Sequence, residues 1–220
     1  MSDARADGAA ARHLATAGAL ALAGLLPIVA TREPVALVAW FALVAPGAGV
    51  LASSLPAWPW APMVPAAWMA ALALATIDAE RVLPTPAFAA ALWTGLFFAG
   101  HGLGRVVRDS GARVAALTTL LSFALAALPV GLGLVDAPFP SAWTARFLLF
   151  SPVRWALECA GVDWLHHAAF YERARTFDLG PELLARPRPA LAGALALVVG
   201  CLVAWAGSRV SRAANPAPAR

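Results

Sequence analysis

The chain has 220 residues, 61% of them hydrophobic and 13% charged, with a formal net charge of +4. Soluble domains carry about a quarter charged residues, so this balance excludes an ordinary soluble globular class and points to an all-α, polytopic membrane protein. The basic residues are all Arg and sit at the ends of apolar runs, which reads as membrane orientation and excludes a nucleic-acid surface.

Six apolar runs are expected to be transmembrane helices: about residues 14–30, 35–53, 63–77, 88–104, 114–135 and 190–207, forming a single transmembrane domain over 1–220. A span needs about 20 residues and tolerates about 17. The first run follows a basic flank interrupted by acids and is longer than a signal-peptide core, so a retained span is expected. Before the third run, LPAWPWAPMVP places Pro56, Pro59, Pro62 and Pro65 three apart. That spacing predicts an extended, polyproline-like turn, with Trp58 and Trp60 at headgroup level. The turn carries no charge, which favours a tight hairpin of runs two and three, with a re-entrant pair as the alternative.

No Asp, Glu or Arg falls inside any run, and only His101 approaches one, near the end of the fourth. Proton- and ion-coupled carriers keep ionisable groups in the membrane, and an intramembrane metalloprotease needs metal ligands there, so both classes fit poorly. Small-residue pairs recur at Gly100 and Gly104, Gly131 and Gly133, and through Gly193, Gly200 and Gly207. Such faces let helices approach closely, although a chain this rich in Ala and Gly also produces them by chance. Cys159 and Cys201 are read as free, buried thiols.

Orientation follows from Arg in the short connections. Arg5, Arg12, Arg105, Arg108, Arg113, Arg209, Arg212 and Arg220 fall on one side of the six-span arrangement, against Arg32 and Arg81 on the other. Both termini are therefore expected to be cytoplasmic, with the long loop 136–188 outside.

Within that loop, FLLFSPVRWALECAGVDWLHHAAFYE is too polar to cross a membrane and too apolar to be free in water. Ser151-Pro152 has the form of a helix start, with a capping hydroxyl and a proline where no N–H is needed. Gly161 is a natural left-handed stop, and Asp163 is placed to cap a second helix from Trp164 to about Arg175. Two helices of about ten residues, each roughly 15 Å long, cannot cross the bilayer but can lie at its surface or dip in and return. The lead-in SAWTARFLLF adds Trp143, Phe147 and Phe150 to the interfacial surface. Arg154 and Glu158 are one turn apart and predict a local ion pair or a gating contact to a partner subunit.

SPVRWALE at 151–158, the stretch GLGRVVRDSGARVAALTTLL at 102–121, and Pro138 and Pro140 together resemble the permease subunits of type-2 ABC exporters. The resemblance covers about the last 120 residues. It implies six spans, short re-entrant or interfacial helices between spans five and six, and location in the bacterial inner membrane. It also implies a separate ATPase subunit, and a homodimer or sister permease as partner. No catalytic residue, cofactor or metal is expected of this chain, and it has no GxxxxGK[ST] phosphate loop of its own. Ser151, Pro152, Arg154, Glu158, Gly161, Asp163 and His167 are the expected outer-gate or partner contacts.

Two other readings stay open. A non-transporting membrane scaffold or assembly factor would account for the absence of membrane charges and for thin inner turns. A lipid-modifying enzyme or a zinc site would use Asp163, His166, His167 and Glu172, but adjacent histidines point apart on a helix and no HExxH or Cys-x-x-Cys accompanies them.

Overall fold

The computed structural model describes Thr16, Leu20 and residues 33–55, 60–77, 82–107, 112–134, 148–164 and 188–214. Among these residues there are six helices and no strand: α1 (Pro34–Ala52), α2 (Trp60–Ile77), α3 (Pro86–Val107), α4 (Ala112–Leu134), α5 (Pro152–Cys159) and α6 (Pro189–Ala214). Three are long and apolar enough to cross a membrane, namely α1, α3 and Pro189–Ser211 of α6. Ala61–Ile77 of α2 and Ala116–Leu128 of α4 are shorter apolar stretches. The expected first span, residues 14–30, lies outside the described residues apart from Thr16 and Leu20, and Leu20 is buried.

The prolines explain where the helices start. Pro34, Pro86 and Pro189 each open a long helix, where the missing N–H would have had no partner. The expected extended turn over residues 56–65 is corrected in its second half, because α2 already begins at Trp60 and contains Pro62 and Pro65. Pro62 lies in the first turn, whose amides need no intrahelical acceptor, so it is compatible with the helix. Pro65 removes one ladder bond, and so does Pro46 inside α1.

The helix–helix seams are built on glycine. A Cβ at Gly95 would strike the carbonyl of Ala196, one at Gly200 the carbonyl of Gly95, and one at Gly207 the carbonyl of Gly102. Phe88 faces Gly193 in the same way. Partners therefore advance together in steps of seven residues, so α3 and α6 run parallel with their backbones in contact. Gly100 against Pro46, and Gly104 against Val50 and Ser53, show that α1 and α3 also run parallel. Contact this close gathers many small dispersion terms, which are the main attraction between helices surrounded by lipid. Thus the glycine spacings of α3 and α6, which composition alone could have produced, mark real interfaces, while the surroundings of Gly131 and Gly133 lie outside what the structure describes.

Between α1, α2 and α3 sits an aromatic core. Phe41 stacks on Trp68 at 5.2 Å and meets Trp93 edge-on at 5.0 Å. Trp68 also meets Phe97 edge-on at 6.0 Å. All four rings are fully buried. Such geometries match the charge distribution of the rings and add about 0.5–1.5 kcal/mol per pair beyond burial. On the other flank of α1, the ring of Phe123 from α4 lies over Gly47, where a Cβ would come within 2.5 Å of it.

Both cysteines are free. Cys159 is buried as expected, but Cys201 is exposed on the outward side of α6, because the glycine face of that helix is the one turned inward.

Candidate functional site: a capped helix across two helix starts

The short helix α5 is closed at both ends by its own sequence. Ser151 is extended and fully buried, and its hydroxyl oxygen accepts a hydrogen bond from the Arg154 amide at 3.3 Å. Pro152 opens the helix. At the other end Gly161 has φ of 76°, the left-handed conformation that favours glycine. The Gly161 amide donates to the Glu158 carbonyl at 3.0 Å and the Val162 amide to the Leu157 carbonyl at 2.9 Å. These are the two bonds of a Schellman motif. The helix has eight residues, slightly shorter than the length expected from sequence. Replacing Ser151 by Ala is expected to lower stability by about 1 kcal/mol, read as a drop in the thermal midpoint in detergent.

This helix is docked onto the starts of α3 and α6. Thr85, just before α3, donates its amide to the Ala160 carbonyl at 3.1 Å and its hydroxyl to the Cys159 carbonyl at 2.6 Å. Pro84 and Thr85 also pack against Gly161. The Cys159 thiol lies 3.6 Å from the carbonyl of Pro189, the first residue of α6. Val153, Ala156, Leu157 and Ala160 are buried in the same core as α1 and α3. Thus α5 lies at the end of the bundle where the parallel α3 and α6 begin.

Arg154 and Glu158 form the expected ion pair, with Nε 2.7 Å from Oε1. Its setting differs from expectation: the side chains are only 3% and 11% exposed, because α5 turns this face into the protein. Trp164 joins the pair. Its indole N–H donates to the same Glu158 oxygen at 3.3 Å, and its ring lies 5.9 Å from the Arg154 guanidinium carbon. Trp155 is tied separately, donating to the Leu149 carbonyl at 2.6 Å.

Of the residues singled out in sequence, Ser151, Pro152, Arg154, Glu158 and Gly161 are thus brought together in one helix and its caps. Asp163 is exposed, two residues beyond the Gly161 stop. His167, with His166, Glu172 and the second outer helix, lies outside the described residues. Among the described residues there is no group of three His, Cys, Asp or Glu side chains able to hold a metal ion. Trp164, Thr85 and the carbonyl of Pro189 were not foreseen as partners, since each comes from a segment whose approach depends on how the helices assemble.

Burial, with a smaller contribution from the neighbouring Glu158 charge, pushes the Cys159 thiol up to about 11, partly offset by a backbone hydrogen bond at Gly193. Its ordinary value is 9.0, so folding favours the neutral thiol. That contribution to stability is complete below pH 9.0 and is lost as pH rises from 9.0 towards about 11. Chemical denaturation of wild type and Cys159→Ala across this range should show the pH dependence falling away in the variant. At neutral pH, Cys159 should resist maleimide in folded protein and react once it is unfolded, because the thiolate is the nucleophile.

No family model, no curated protein and no solved structure matches this chain.

Proposed function

We propose that the chain is a six-span permease-like subunit of an ATP-driven exporter in the bacterial inner membrane, working with a separate ATPase. The observation that carries the reading is α5: a helix capped at both ends, placed in the connection between α4 and α6, and docked on the starts of α3 and α6. A connection with no role beyond linking two spans needs no buried ion pair and no Schellman stop.

The parallel run of α1, α3 and α6 supports a simple threading. If α2 and α4 return in the opposite sense and residues 14–30 form one more pass, the chain crosses six times. Arg105 and Arg209 then lie near the ends of α3 and α6 that positive charge assigns to the cytoplasm, and α5 lies outside. Closure driven by the ATPase would rock two copies, or a copy and a sister permease, and α5 would take part in release at the outer face. Catalysis of ATP hydrolysis belongs to the partner, so this chain contributes no catalytic residue to it.

The test is affinity purification in mild detergent, mass spectrometry of the eluate and an ATPase assay. A stoichiometric ATPase whose turnover rises in the presence of this chain is the expected result. A clean, folded preparation that retains no ATPase would overturn the exporter reading in favour of a membrane scaffold.

A further inference from the structure

On the flank of α1 opposite α3 there is a cavity of about 720 Å³. Its walls come from α1, α2 and α4, with Leu20 closing one side. Trp40, Val44 and Ala48 of α1 face Trp68 of α2 and Phe123 of α4 across it. Leu51, 40% exposed, and the exposed Ala127 of α4 stand on its rim, so it opens sideways to the surface of the helical bundle.

Water is a poor occupant. A buried water needs two to four polar partners, and cavities lined by hydrocarbon stay dry. The polar groups of this lining are the Thr16 hydroxyl and the indoles of Trp40 and Trp68. Thr16 and Trp40 each already have an interaction within the chain. The Trp68 N–H is buried and has no hydrogen-bond partner among the described residues. One indole cannot hold a file of water molecules.

Vacancy is equally costly. Protein interiors contain few voids larger than a water molecule, and wall atoms facing a void lose their dispersion contacts. The volume falls within the roughly 300–1,000 Å³ typical of sites for small organic ligands. Its α1 wall runs from Trp40 in the middle of a helix able to cross the membrane to Leu51 near its end, so most of the cavity lies along the part of α1 that a bilayer would surround with hydrocarbon. The material at that opening is the tail region of the bilayer.

We infer that this cavity is a lateral binding site for the hydrocarbon chain of a bilayer phospholipid, inserted between α1, α2 and α4 past Leu51 and Ala127. The site does not depend on an ATPase partner. Because lipid tails already surround the protein, selection comes from the fit of the chain to Trp68, Phe123 and Val44, and not from the hydrophobic effect.

The full chain, reconstituted in vesicles of phosphatidylcholine carrying a photoreactive diazirine near the end of one acyl chain, provides the test. After irradiation, adducts are mapped by peptide mass spectrometry. Cavity residues such as Leu43, Leu51 and Phe123 are expected to be labelled at least as strongly as the outward Leu121, Leu195 and Leu202. Two variants fill the cavity from opposite walls, Ala48→Phe in α1 and Ala127→Phe in α4; the second starts from an exposed position and keeps the fold. Each should reduce the cavity adducts about tenfold while leaving those on the outward residues unchanged. Labelling confined to the outward residues in wild type would overturn the inference, as would cavity adducts that persist in folded Ala127→Phe protein. A second copy or a partner helix seated in the cavity would give the first of these results.

Discussion

Gly95→Leu is expected to remove most of the folded protein. At Gly95 even a Cβ meets the backbone carbonyl of Ala196, and Gly200 approaches the Gly95 carbonyl from the same helix. A flexible side chain can move aside, but a carbonyl moves only if its helix moves. Ordinary overpacking costs about 1–3 kcal/mol, and separation of α3 from α6 along a seam with five glycines in close contact should exceed the upper end of that range. Whole domains have only about 5–15 kcal/mol to lose. The measurement is the monodisperse yield and thermal midpoint in detergent, with Ala194→Leu on the exposed side of α6 as the control. Gly95→Ala should fall between the two, because it adds the colliding atom without the bulk. If Gly95→Leu melts with the control, the seam is looser than its backbone contacts require.

Arg154→Met should cost about 3–5 kcal/mol, because it leaves the Glu158 carboxylate buried with only the Trp164 N–H for company. Replacing both members, Arg154→Met with Glu158→Leu, should cost less than half as much. Desolvating two charges nearly cancels their attraction, whereas desolvating one charge has no compensation. Chemical denaturation of the wild type, both single variants and the double variant gives the coupling directly. A double variant as unstable as Arg154→Met would mean that the packing of the Arg154 stem, and not the ion pair, holds α5 in place. The same series separates structure from work in the exporter reading: a stable double variant that still binds its ATPase but does not transport would place the pair in the outer gate.

How much of this was legible in the sequence depends on the range of the interaction. Ser151-Pro152 and Gly161 are local signals, and the caps of α5 followed from them because a cap involves only residues within one turn. Arg154 and Glu158 were readable as a pair for the same reason. Their burial was not, because it depends on Trp164 and on the seating of α5 against Thr85 and Pro189. The prolines before α2 misled in part: their spacing of three suits an extended turn, but the first turn of a helix accepts proline equally well, and Trp60 begins a helix. The heptad of Gly193, Gly200 and Gly207 was visible as a pattern. Its meaning required the matching row of Phe88, Gly95 and Gly102 on a helix about a hundred residues away. The cavity gave no signal at all, since Trp68, Phe123 and Val44 look like any other apolar core residues until three helices are placed around them.

The glycine seams also constrain how the molecule can change shape. Where one helix has no side chain, the other places its carbonyls, so neither helix can slide by a single residue without driving a Cβ into a peptide group. Between α3 and α6 the next equivalent register is seven residues away, about 10 Å along the axis. A step of that size would pull α5 from its bonds to Thr85 and Pro189. Sliding is therefore blocked along both the α1–α3 and the α3–α6 seams, and any change of shape must carry α1, α3 and α6 together.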